Sequence, residues 1–319
     1  MSFRRIGSAM IAAWMTLWMA TSTLVSAESP PDEAAARARL SAIIASASNR
    51  PATLGVLHDA IQNAISFGGP AYNAGDHDAC HRFYRHTSNA LVNAFSGVDA
   101  TTPAAAPCVR YLKEALIRAD AGTDPDRQAW TLRMGFDQSL LEWTVAQQRG
   151  EALMRMGSEY FARGQYDEAL VALGSSTAVL ADMRGEDATD VSINLRASPL
   201  LQAQALLGLK RYDDASAALA SSAALLPELV TAKFDLRVLY PGKAADLQTT
   251  LKDLAKAVEA KTTDAALHAL LGYEYRFSDR VDVAKLQLSA ALAIDPKQPV
   301  AVALTKPAGE PSGQGSEIP

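Results

Sequence analysis

The chain has 319 residues with 35 acidic and 30 basic side chains, a formal charge of −5. That balance argues against nucleic acid as a partner, because such binding rewards clustered Lys and Arg facing phosphates. The length allows one large core or two smaller units.

Arg4 and Arg5 open the chain and are followed by the uncharged stretch IGSAMIAAWMTLWMATSTLV and the small residues Val25-Ser26-Ala27. This order is the pattern of a secretory signal peptide over residues 1–27, cut before Glu28. The apolar run is long, so an uncleaved anchor is the alternative, weakened by Thr16, Thr21, Ser22 and Thr23. Loss of Arg4 and Arg5 leaves 28 basic against 35 acidic residues, a balance of −7. No later segment is apolar for long enough to span a bilayer. The mature chain is therefore expected to be exported, periplasmic or secreted, and to leave the membrane after cleavage.

The remainder reads as helices. DEAAARARLSAIIASA, ATLGVLHDAIQNAI, DRQAWTLRMGFDQSLLEW and ADLQTTLKDLAKAVEA all repeat apolar residues at three- and four-residue spacing. The Gly68-Gly69-Pro70 cluster reads as a turn, and KFDLRVLYPG as an extended segment, because Phe234, Leu236, Val238 and Tyr240 alternate with other residues. The expected organisation is a helical N-terminal region over 28–150, a second region over 151–302 and a solvated tail over 303–319.

The stretch YNAGDHDACHRFYRH, from Tyr72 to His86, places three of the five histidines close to one of the two cysteines. His77 and His81 lie one helical turn apart with Cys80 on a neighbouring face, a spacing that zinc or copper could use. Two histidines and one thiol fall short of a closed structural site, and the expectation is no metal. Cys80 and Cys108 raise a second question in an exported chain. A helix over about Asp76–Phe95 puts Cys80 about 20 Å before its end, while SGVDATTPAAAP could run back roughly 35–40 Å. A disulfide and two separate thiols both remain open.

Local signatures of catalysis are missing from the sequence: no Gly-x-Ser-x-Gly, no His-Glu-x-x-His, no Cys-x-x-Cys and no phosphate-cradling Gly-Lys-Ser/Thr loop. The chain is read as non-catalytic, with no cofactor. An enzyme with a dispersed site on a helical scaffold, and a metal-handling protein centred on His77, Cys80 and His81, are the alternatives.

One order of residues recurs. Gly157, Tyr160, Gly164, Tyr166, Ala169 and Leu173 are matched by Gly272, Tyr275, Ala284, Leu288, Ala291 and Pro296, and by Ala203, Leu206, Tyr212, Ala215, Leu219, Ser222 and Pro227. Small residues sit where two helices cross, aromatics fill the gaps, and a proline ends the second helix. This order resembles the tetratricopeptide repeat (TPR) family, whose unit is a pair of antiparallel helices of about 34 residues. The units are interrupted, since Gly157, Ala203 and Gly272 stand 46 and 69 residues apart. On the same template Gly68, Gly75, His77, Cys80 and Tyr84 align with Gly157, Gly164, Tyr166, Ala169 and Leu173, which makes about 54–96 a degenerate fourth unit. Cys80 then takes a close-packed small position, and His77 that of a packing aromatic.

The resemblance implies an all-α fold of antiparallel helix pairs stacked as a TPR-like α-solenoid. It also implies a concave face that binds a protein or peptide. The residues it would place on that face are Tyr72, Asn73, Met154, Ser158, Phe161, Gln204, Tyr273, Arg276 and Phe277. Several could instead pack against the neighbouring repeat.

Overall fold

A computed structural model describes residues 32–48, 54–96, 105–183, 191–225, 235–240 and 244–305. The expected leader over 1–27 and nearly all of the expected tail over 303–319 lie outside the described residues. These form α1 (Glu33–Ser48), α2 (Leu54–Asn73), α3 (His77–Ala94), α4 (Ala105–Asp120), α5 (Pro125–Arg163), α6 (Tyr166–Met183), α7 (Ile193–Arg196), α8 (Ser198–Gly208) and α9 (Tyr212–Leu225). After a 3-10 turn at Leu236–Leu239 come α10 (Ala244–Ala260), α11 (Ala265–Arg276), α12 (Val281–Ile294) and α13 (Pro299–Thr305). There is no strand among the described residues, so the fold is all-α. No helix there is long and apolar enough to cross a membrane.

Local chemistry fixes the helix starts. The Asp76 carboxylate accepts from the Ala79 amide at 2.9 Å, and that of Asp264 accepts from Ala266 and Leu267 at 3.0 and 3.1 Å. Each satisfies a donor that has no partner within the helix. Pro125 opens α5, where a missing N–H costs nothing.

Four helix hairpins are built to one plan: α2–α3, the end of α5 with α6, α8–α9 and α11–α12. Their turns pass through a residue with positive φ at Gly75 (86°), Gly164 (78°), Lys210 (59°) and Asp279 (63°). Each lies seven positions after Gly68, Gly157, Ala203 or Gly272. The next amide, that of Asp76, Gln165, Arg211 or Arg280, donates to Ala71, Tyr160, Leu206 or Tyr275 at 2.9–3.0 Å. This is a helix C-terminus closed by one left-handed residue.

The crossings repeat as well. A Cβ on Gly68, Gly157 or Gly272 would fall within 3 Å of the side chain of Tyr84, Leu173 or Leu288, sixteen positions on in each case. Gly272 thus packs on Leu288 and not on Ala284. The small position shared by Cys80, Ala169, Ala215 and Ala284 is buried in all four hairpins, one turn earlier on the second helix.

Three expectations are corrected. Gly68-Gly69-Pro70 lies inside α2 and not in a turn, because Gly68 is needed where α3 crosses. The boundary expected at 150/151 falls within α5, which runs unbroken for 39 residues. Gly150 is no break there: a Cβ on it would meet Leu195 and Val179. Leu236–Leu239 forms a 3-10 turn and not a strand, since the Asp235 carboxylate accepts from the Arg237 amide at 2.9 Å and closes the chain locally.

Candidate functional site

Four of the nine residues expected on a binding face are core. Phe161, Gln204, Tyr273 and Phe277 are buried. They come together from α5, α8 and α11 because the short segment 235–240 packs over them. The Tyr240 ring stands edge-on to Phe161 at 5.2 Å, its hydroxyl donates to Gln204 Oε1 at 3.2 Å, and the Leu236 amide donates to the Phe277 carbonyl at 2.8 Å. Tyr273 and Phe277 lie 4.9 Å apart. A face covered by the chain's own backbone cannot receive a partner, which corrects the expectation for these four.

Of the other five, Met154 and Ser158 are half-buried on α5, where the Ser158 hydroxyl donates to the Met154 carbonyl at 2.9 Å. Arg276 is also half-buried. Its guanidinium lies over the Phe277 ring and donates to the Leu304 carbonyl at 3.2 Å. Tyr72 and Asn73 remain accessible at the end of α2, away from the covered group.

The covered group contains a residue that the sequence did not single out. Glu274 is fully buried, and Gln204 Nε2 donates to its Oε1 at 2.7 Å. Its Oε2 and the Tyr273 hydroxyl have no partner among the described residues. Burial pushes this carboxyl up to about 7, and the Gln204 hydrogen bond only partly opposes that. Tyr240 and Tyr273 are raised by the same burial and by Glu274. A carboxyl raised this far between helices is a structural polar contact that also titrates.

The accessible end is an aromatic and acidic corner. The Tyr72 hydroxyl donates to Asp126 and accepts from Trp130 Nε1 at 2.8 Å. The His77 ring stacks on Tyr72 at 4.4 Å and 14°, and its Nδ1 is 3.9 Å from Asp126. Hydrogen bonding to Asp126 holds the Tyr72 phenol above its ordinary value. Asp76, Asp78, Asp124 and Asp126 rim a shallow cleft beside these rings. Sequence reasoning missed Trp130 and Asp126, although a tryptophan at the start of an amphipathic helix was a visible signal.

Two residues of the histidine and cysteine cluster pack against their neighbours. His77 fills the aromatic position beside Tyr72, and Cys80 is buried with its thiol raised to about 11 by desolvation. Burial holds the His81 imidazole below its ordinary value, and its Nε2 has no partner among the described residues. No group of three His, Cys, Asp or Glu among those residues could hold a metal ion.

Cys80 and Cys108 are buried thiols. Arg85, midway along α3, pairs with Asp120 at the end of α4 at 3.0 Å. Cys80 lies in the first turn of α3 and Cys108 in that of α4.

No protein-family model and no curated protein matches this chain.

Proposed function

We propose that the chain is an exported, non-catalytic scaffold of the TPR type, whose hairpins stack as a solenoid and bind a protein or peptide partner. The observation that carries this reading is the recurrence of one turn in four hairpins of different sequence and of one crossing in three of them. Recurring hairpins that bury their faces against one another make an extended scaffold with a surface left for ligands. The apolar start with small residues at Val25-Ser26-Ala27 supports export.

Because segment 235–240 fills the expected inner face, the partner surface moves to the corner of Tyr72, Asn73 and Trp130. Exposed rings beside carboxylates suit a peptide that presents apolar and basic side chains together. Affinity capture from the exported fraction tests this, with wild type and Asn73→Arg run side by side. Asn73 is exposed, so the substitution leaves the fold alone. The reading expects a captured protein that is lost with Asn73→Arg. A capture profile identical for both baits would refute the corner as the site.

A further inference from the structure

The face of α5 that points away from the core carries an apolar stripe. Leu132, Phe136, Ser139 and Trp143 are buried on one side of this helix. On the other side Trp130, Met134, Leu141, Val145 and Met156 are 54, 57, 60, 50 and 42% exposed, and Ala152 between the last two is exposed too. At about 100° per residue these six fall within an arc of about 80°. They come as three pairs, Trp130/Met134, Leu141/Val145 and Ala152/Met156, set eleven residues apart. Eleven residues are three turns plus about 20°, so the stripe stays nearly straight over about 39 Å. Single exposed apolar side chains are ordinary on a soluble surface, but a line of them, interrupted in this arc only by exposed Gln138 and Gln148, marks a contact.

We propose that this face pairs with the same face of a second copy of the chain, antiparallel, about a twofold axis at the level of Trp143. In a twofold contact the patch must complement its own reverse, and this stripe does. Reversed about position 143, Trp130 meets Met156, Met134 meets Ala152, and Leu141 meets Val145, so larger side chains lie against smaller ones. The charges at the two ends follow the same rule. Arg127, just before the stripe, comes level with Glu159, just after it, and this happens twice per dimer. Parallel pairing would set Arg127 on Arg127 and Glu159 on Glu159. Their contacts within the chain, Arg127 to Asp124 at 3.7 Å and Glu159 to Arg163 at 3.5 Å, are long and exposed, leaving both free to reorient. Trp130 belongs both to this face and to the corner proposed for a partner, but the proposal does not rest on that reading, whose test residue, Asn73, lies outside the stripe.

Sedimentation equilibrium over a concentration series, with the full chain and with Leu141→Glu, is the first test. The wild type is expected to double its mass as concentration rises, and Leu141→Glu to stay monomeric with the melting curve that the wild type shows where it is itself monomeric. The second test is oxidative cross-linking of an equal mixture of Leu141→Cys and Val145→Cys chains. Cys80 and Cys108 are buried, which keeps them out of the reaction. The antiparallel register expects the cross-link in the mixture and far less in either variant alone. A wild type that stays monomeric, a dimer that survives Leu141→Glu, or a Leu141→Cys chain that links efficiently to itself would each overturn the proposal.

Discussion

Gln204 on α8 and Glu274 on α11 are joined by a 2.7 Å hydrogen bond in the interior, and the carboxyl it reaches is held up to about 7. Stability should therefore depend on pH through this group. In the unfolded chain Glu274 loses its proton near 4.5, whereas in the folded chain it keeps it up to about 7. The stabilisation is complete below 4.5 and is lost as pH rises through 7, because over that interval the unfolded state binds fewer protons. Urea midpoints measured from pH 4.5 to 8 should fall across this window. Glu274→Gln, which keeps an acceptor for Gln204, should flatten the fall. An equal slope in both proteins would mean that Glu274 is not the source.

Helical glycines at the crossings and helical glycines in open positions should respond in opposite ways. A Cβ at Gly157 would come 2.5 Å from Leu173 Cγ, while one at Gly174 would meet only Gln202 Nε2 at 3.9 Å. Gly157→Ala is expected to destabilise by about 1–3 kcal/mol through overpacking. Gly174→Ala should stabilise by roughly 0.5–1 kcal/mol, since alanine is the better helix former. Denaturant unfolding of the two variants checks the sign of each.

The left-handed turn residues give a third contrast. Asp279 occupies φ 63° without being glycine. Relief of that conformation by Asp279→Gly should raise stability by about 1 kcal/mol, less the extra freedom glycine gives the unfolded chain. Gly75→Ala, at φ 86° with nothing near its Cβ, should lower stability by a similar amount. Thermal melts that move the same way for both would rule out backbone strain as the cause.

Cys80 and His81 separate packing from ligation. Cys80→Leu should destabilise by about 1–3 kcal/mol, because Cys80 fills a buried small position. His81→Ala should cost less, and a chelator should leave the melting temperature of the wild type unchanged. A drop of several degrees with chelator would show a metal that contributes to folding.

The hairpins were legible because their crossings and turns constrain residue type. Gly68, Gly157 and Gly272 admit no side chain, and Cys80, Ala169, Ala215 and Ala284 admit only small ones. The turns at Lys210 and Asp279 gave no such signal, since a polar residue there accepts the left-handed conformation at a cost. The candidate surface was harder to read. Phe161, Tyr273 and Phe277 have the side chains of a binding face, but the same rings make core once Leu236 and Tyr240 lie over them. Sequence spacing cannot say which face a distant segment will cover. The α5 stripe was visible as an eleven-residue spacing, but only the observed burial shows that this side of the helix is the outer one.

The unbroken course of α5 has a mechanical consequence. It is at once the second helix of the hairpin begun by α4 and the first helix of the hairpin completed by α6. In an array of separate hairpins every junction is a loop that can bend, but here one junction is a rod of intrahelical hydrogen bonds. Bending between these two hairpins requires bending or breaking that helix, so they should move as a single stiff segment. Compliance is left to the connections elsewhere. Under load, the chain should first yield outside α5, and amide exchange at Gly150 should be as slow as in the helical turns on either side of it.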